Sequence, residues 1–385
     1  MLINRVPLAW LQLTHHKGRF LVALAGVAFA VILMFMQLGF QDALYEDSIT
    51  IHKTLKADLI LISPKSANLF GLSSFPRRRL YDAIEVNGVA TASPFYLRGG
   101  QWKNPENQNT KVISILAFNP DKPVLNLPEV NQNLDTIRRA DVVLFDRLSR
   151  PEYGSIAEDF SEGKSISTEI NDRKIRVGGL FELGGGVLSA DGLLICSDTN
   201  FVRIASSNLS GIHLGLLTLE PNAGLQQIRQ NLMNHLPPDV KIITKQEFLD
   251  LEQNFWRTGS PIGFIFGFGL LMGCFIGTII IYQILYTDVT NHLPEYATLV
   301  AMGYSNWYLL KTVLQESLIL ATLGFIPGLI ISFGLYDTTR NAARLPMAIS
   351  FDQATLVLGL TISICFIAAA IAIRKLRCVD PADIF

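Results

Sequence analysis

Phe20–Phe40 reads FLVALAGVAFAVILMFMQLGF, 21 residues without a charge. Wound as an α-helix at 1.5 Å per residue it is about 31 Å long, the thickness of the hydrocarbon core of a bilayer. A secretory signal peptide has a shorter apolar core followed by a small-x-small cleavage site, and none follows this core before Gln41-Asp42. Residues 20–40 are therefore expected to be a transmembrane helix.

Outward from that stretch, the C-terminal third carries three further apolar runs, at residues 261–286, 313–336 and 354–373. Each is long enough to span. The composition agrees: 49% of the 385 residues are hydrophobic and 17% charged, and the mean hydropathy is +0.33. The expected fold is a membrane protein of four transmembrane α-helices, with a large α+β extracytoplasmic domain, residues 41–260, between the first and second. Residues 287–312 form a connecting loop, 337–353 a short loop and 374–385 a tail. A net charge of −1 argues against a nucleic-acid partner, which requires clustered Lys and Arg to displace counterions. The basic run Arg77–Arg79 is expected to be a solvated face.

Four spans put both termini on one side. Arg5, Lys17 and Arg19 flank the first span and Arg374, Lys375 and Arg377 the last, against Arg340 and Arg344 in the short loop. The positive-inside rule places the termini and residues 287–312 in the cytoplasm. Residues 1–19 carry Leu2, Val6, Ala9, Trp10 and Leu13 at helical spacing and are expected to form an amphipathic helix on the inner leaflet. Adjacent His15 and His16 point in different directions on a helix and do not suit a metal.

The second span contains Gly263, Gly267, Gly269, Gly273 and Gly277, whose four-residue spacings offer close approach to a neighbouring helix. The third has Pro327, expected to kink it. Its Glu316 lies little more than one turn beyond Lys311; snorkelling to the interface is the preferred reading, with transport chemistry the alternative. Leu44, Ile51 and Leu55 continue a helical face beyond the first span, and Phe248, Leu251 and Phe255 do so before the second. These segments are expected either to extend the spans as a stalk or to cover the domain base. Within the domain, strands are predicted at 58–63, 111–118, 141–145, 212–219 and 240–243, a hairpin at 165–181 around Asn171-Asp172-Arg173, and a helix at 223–235.

The chain offers little that could do chemistry. Gly163-Lys164-Ser165 resembles the end of a phosphate loop, but position 158 is Glu where that motif needs Gly. No Cys/His pair has zinc spacing and no Gly-x-Ser-x-Gly occurs. Cys196 is alone in the large polar region, so no intrachain disulfide is expected there. A non-catalytic subunit without catalytic, metal or cofactor residues is the expectation.

One stretch carries a resemblance. NHLPEYATLVAMGY at 291–304, followed by Glu316 early in the next span, resembles the coupling segment of FtsX/MacB-type permeases, although Pro294 stands where a basic residue is usual. The ending VDPADIF at 379–385 is similar to the terminal Asp-Pro-Ala motif of that superfamily. AWLQL at 9–13, MFMQLGF at 34–40 and SFPRRRLY at 74–81 are similar to the cyanobacterial DevC family. The resemblance implies a dimeric permease that docks a separate cytoplasmic ABC ATPase, which would hold the ATP and Mg, through Leu293, Pro294, Glu295, Tyr296, Leu299, Met302, Gly303 and Tyr304. It further implies a multi-pass protein of the inner membrane that passes movement through its periplasmic domain. A periplasmic adaptor and a TolC-like outer-membrane channel would be its partners, and lipid or envelope material its cargo. The alternative it leaves is an FtsX-like transmembrane regulator of a periplasmic cell-wall hydrolase.

Overall fold

The computed structural model describes residues 8–15, 17–184, 191–205, 209–295, 298, 302, 306–343 and 345–376. Two compact units divide the chain: Leu44–Ser260, and Met1–Ala43 together with Pro261–Phe385.

The second of these is helical: α1 (Leu8–His15), α2 (Lys17–Ser48, of which the last residues belong to the other unit), α11 (Pro261–Asn291), α12 (Asn306–Ala343) and α13 (Phe351–Leu376). Among the described residues four helices are long and apolar enough to cross a membrane, Lys17–Ser48, Pro261–Asn291, Leu310–Ala343 and Phe351–Ala372. They extend past the apolar runs at most ends because polar residues at the interface still close their backbone hydrogen bonds within a helix. α12 continues through Pro327. Short α1 packs on α12, with Ala9 and Leu13 buried and Trp10 and Leu11 exposed.

Unit Leu44–Ser260 is α+β. Its strands are β1 (Leu59–Ile62), β2 (Phe75–Pro76), β3 (Val89–Lys103), β4 (Thr110–Phe118), β5 (Val142–Asp146), β6 (Ser167–Ile170), β7 (Arg173–Phe181), β8 (Leu193–Ser197), β9 (Gly211–Ile212), β10 (Leu214–Leu219) and β11 (Lys241–Thr244). Between them lie α3 (Thr50–Thr54), α4 (Arg78–Ile84), α5 (Pro128–Gln132), α6 (Leu134–Ile137), α7 (Ile156–Ser161), α8 (Asp198–Ala205), α9 (Leu225–His235) and α10 (Lys245–Asn254). Nine strands form one mixed sheet in the order β11-β1-β10-β3-β4-β8-β5-β7-β6, and β6 also pairs with β3. Six strands, β3 through β6 in that order, thus close on themselves, while β10, β1 and β11 run out from the first half of β3. The long β3 makes this possible: Val89–Phe95 pairs with β10 and Phe95–Lys103 with β4.

Both faces of the sheet are covered. Leu59, Leu61, Ile113, Ile115 and Phe145 face a core that includes Leu80 of α4 and Leu232 of α9. Ile60, Ile62, Leu116, Leu144 and Ile195 face another that includes Ile51, Leu55 and Phe248. Strands buried on both faces read as unbroken apolar runs, and that is why LILI at β1, VVLF in β5 and LLIC in β8 show no alternation.

Candidate functional site

The segments nearest the unit boundary pack through α3 and α10. Thr244 begins α10 with a capping box: its side chain accepts from the Glu247 N–H, and the Glu247 carboxylate accepts from the Thr244 N–H. This sets Phe248 and Leu251 against Ile51 and Leu55 in one core. Leu44 is buried, and Phe255 lies edge-on to Trp256 at 5.2 Å. Four of the six residues assigned to a stalk are therefore brought together, and they do so as the base of the α+β unit.

Three residues without a sequence motif, Glu252, His52 and Lys245, lie between these segments, and Glu252 and Lys245 hydrogen-bond across them. Glu252, 1% exposed, accepts from the Trp256 indole N–H at 2.8 Å and from the Leu69 backbone N–H at 2.7 Å. His52, fully buried against the Phe248 ring, places Nε2 3.3 Å from the same carboxylate. The Lys245 ammonium donates to the carbonyls of Lys53 at 3.0 Å and Leu55 at 2.6 Å, a cation at the C-terminal end of α3.

The helix does not run unbroken from α10 into the second span. After α10 the backbone makes a π-helical turn at Phe255–Gly259, and Ser260 is extended with φ −121° and ψ 158°. Pro261 is the cause: its ring clashes with a helical conformation in the preceding residue. On the other side α2 runs to Ser48 before Ile49 interrupts it.

In the helical unit the glycines of α11 divide into two groups. A Cβ at Gly277 would meet Ala30 at 2.9 Å and one at Gly273 would meet Leu33 at 3.9 Å, while one at Gly269 would strike the Gln37 side chain. Gly269, Gly273 and Gly277 therefore form the face against α2. A Cβ at Gly267 would meet nothing within 4 Å, so that glycine has no packing role here. Another side of α2 meets glycines of α12: Gly324 sits on Val27 and Gly328 on Val31. Farther along, Gly39 leaves the space that the Tyr336 ring fills, and the Tyr336 hydroxyl donates to the Phe35 carbonyl. Gln353 of α13 donates to Asp42 of α2 at 2.7 Å.

The connector between α11 and α12 is shorter than the loop read from sequence, because Thr287–Asn291 is still helical and α12 begins at Asn306. Within it Pro294, Glu295 and Met302 are exposed and Leu293 is half-buried, a set of side chains open to a docking partner. Tyr296, Leu299, Gly303 and Tyr304 lie outside the described residues, as does the ending at 379–385. Buried His292 holds the start of the connector to α11, with Nδ1 3.0 Å from the Asp288 carbonyl and 3.7 Å from its carboxylate. Trp307, 74% exposed, is the large apolar side chain nearest the connector that the sequence reading passed over.

Snorkelling of Glu316 is also corrected. It shares the inward stripe of Val313, Ser317 and Leu320, all buried, and neither of its carboxylate oxygens has a hydrogen-bond partner. Spacing of three, four and seven residues puts these side chains on one face of the helix, whereas Lys311 lies on the exposed side. Among the described residues no group of three or more His, Cys, Asp and Glu could hold a metal ion.

With this geometry in view, the comparisons with known proteins fall on both units. Residues 259–381, the three C-terminal membrane helices and their connector, match the family model described as FtsX-like permease C-terminal. The periplasmic region of MacB from Actinobacillus actinomycetemcomitans is similar over 53% of this chain and 96% of its own length, at 13% identity and a TM-score of 0.37. The extracellular domain of the ABC-type transporter YknZ from Gram-positive bacteria is similar over 49% of this chain and 100% of its own length, at 11% identity and a TM-score of 0.32.

Proposed function

We propose that this chain is the membrane permease subunit of an ABC-type exporter of the DevC kind. It spans the inner membrane with both termini in the cytoplasm, and its α+β unit lies in the periplasm. A separate ATPase binds ATP and Mg and docks on the connector, where Pro294, Glu295 and Met302 are exposed. Two copies of the chain work together with an adaptor and a TolC-like channel. Movement started at the connector passes along α2 and α10 to the α+β unit and drives lipid or envelope material outward.

The observation that carries the reading is the match of residues 259–381 to the FtsX-like permease C-terminal region, because that stretch contains the connector between its flanking helices. The chain contributes no phosphate loop, which suits a division of labour with a motor subunit. The test is to co-express the chain with a candidate ATPase, purify the complex into nanodiscs, and measure ATP hydrolysis and co-purification. Glu295→Ala and Gly303→Leu are expected to lower stimulated hydrolysis at least tenfold while the variants keep the wild-type melting temperature. Unchanged hydrolysis and unchanged co-purification in both would remove the proposal. The FtsX-like description of the match keeps the regulator reading in the same test: capture of a cell-wall hydrolase in place of an adaptor and channel favours it.

A further inference from the structure

Strands β5 and β7 run parallel, with Val142 opposite Arg176 and Asp146 opposite Phe181, so both leave the sheet at the same end. Asp146, the last residue of β5, is fully buried there. Its Oδ1 accepts from the Leu148 N–H at 3.1 Å, in the exit of β5, and from the Leu183 N–H at 3.3 Å, in the exit of β7. One carboxyl group thus ties together two segments that are far apart in the chain. Beside it the Arg147 N–H donates to the Phe181 carbonyl at 2.9 Å and the Ser149 N–H to the Asp146 carbonyl at 3.0 Å. Among the described residues Oδ2 has no hydrogen-bond partner.

The charges around this carboxyl group do not compensate it. Glu182, just past β7, is itself negative and acts against ionisation. Arg147 turns to Glu129 of α5 at 3.9 Å and to Glu182 at 3.8 Å. At the entry to β8, Asp191 is paired with Arg150 at 3.0 Å. On α6 Asp135 faces Arg138, and on α7 Asp159 faces Lys164. An ionised Asp146 is therefore a buried charge with amides on one oxygen and nothing on the other, whereas the neutral group buries no charge. Burial lifts its pKa from 3.8 to about 6, against the pull of the Leu148, Leu183 and Gly184 amides. Water at the two exits would return the carboxyl group to its ordinary range. The bias toward the wetted form grows as pH rises from about 4 and levels off above about 6, where a difference of two pKa units amounts to about a hundredfold.

We propose that Asp146 is a proton-operated latch: protonated, it fastens the exits of β5 and β7 to each other, and ionised, it releases them so that water reaches the Leu148 and Leu183 amides. The latch belongs to the α+β unit alone and does not depend on the export reaction proposed above.

The experiment is amide hydrogen exchange of the full chain in nanodiscs at pH 4.5 and 7.5, corrected for the pH dependence of intrinsic exchange and resolved to single residues by electron-transfer fragmentation. Leu148 and Leu183 are expected to lose protection together, at least tenfold between the two pH values. Both should exchange faster than Leu144 and Phe145, which open only with the sheet. In Asp146→Asn the same two amides should keep equal protection at both pH values. The wild-type chain carries the first test by itself, so a variant that failed to fold would not shelter the proposal. Protection at Leu148 and Leu183 that ignores pH, or exchange there no faster than at Leu144 and Phe145, overturns it. So does a pH dependence that survives in folded Asp146→Asn.

Discussion

Asp146 ends β5 with its carboxyl group fully buried. One oxygen accepts from the backbone N–H groups of Leu148 at 3.1 Å and Leu183 at 3.3 Å, and the other has no hydrogen-bond partner. Burial dominates over these amides and pushes the pKa up from 3.8 to about 6. The folded state therefore binds the proton more tightly than the unfolded chain does. Its contribution is complete below the unfolded pKa, near pH 4, and is lost as pH rises through about 6. A difference of roughly two pKa units corresponds to about 3 kcal/mol. Asp146→Asn cannot ionise, so the wild-type chain should lose stability relative to this variant between pH 4 and 6. Urea unfolding followed by fluorescence of Trp102, whose ring is 5.4 Å from that of Phe145, reads the difference, and parallel curves for the two proteins would contradict it. The same residue scale separates Asp146 from Glu252: three groups surround the Glu252 carboxylate, and it serves as a junction between α3, α10 and the Leu69 segment.

Among elements, α2 lies against glycines of two neighbours: Ala30, Leu33 and Gln37 meet those of α11, and Val27 and Val31 meet those of α12. A Cβ on Gly328 would lie 2.7 Å from Val31 and 3.0 Å from the Ala28 carbonyl, and backbone cannot step aside as a side-chain tip can. Gly328→Ala is thus expected to cost about 1–3 kcal/mol through overpacking. Gly267→Ala, in open space, should be neutral or gain several tenths of a kcal/mol of helix propensity. Thermal melts of the two purified variants in detergent check the contrast, and equal midpoints would contradict it. Sequence showed the glycines of α11 but could not show which face meets a neighbour, since four-residue spacing generates two stripes and only tertiary placement selects one. Strands were legible where apolar runs stood between turn residues. The hairpin of β6 and β7 turns on Asn171 and Asp172, both at positive φ, as its dipeptide suggested. The strand β3 was hidden by Pro94, Gly99 and Gly100. Pro94 is tolerated because it lies in the part of β3 that pairs only with β10, beyond the end of β4. His52 and Glu252 stand 200 residues apart, so no local pattern could have joined them.

At the scale of the whole molecule the parity of the spans carries the strongest consequence. An even number returns the chain to its starting side, so residues near 17, 305 and 377 must share a compartment while residues 49–260 occupy the other. Which compartment is which rests on charge: Lys17 and Arg19 precede the first span and Arg374, Lys375 and Arg377 follow the last, so the positive-inside rule predicts that these flanks face the cytoplasm. Two labelling sites decide the matter, Ser305→Cys in the connector and Lys122→Cys at an exposed turn of the α+β unit, each in a chain with Cys378→Ser and, because Cys274 is only half-buried, Cys274→Ser. The buried Cys196 and Cys365 do not compete for the reagent. With a membrane-impermeant maleimide applied to intact spheroplasts, Lys122→Cys should label at once and Ser305→Cys only after lysis. Labelling of both from outside would mean that one of the four helices does not span, and the connector could then not meet a cytoplasmic motor. The reverse pattern would keep four spans but invert the chain, which would remove the docking site from the ATPase while leaving every packing contact in place.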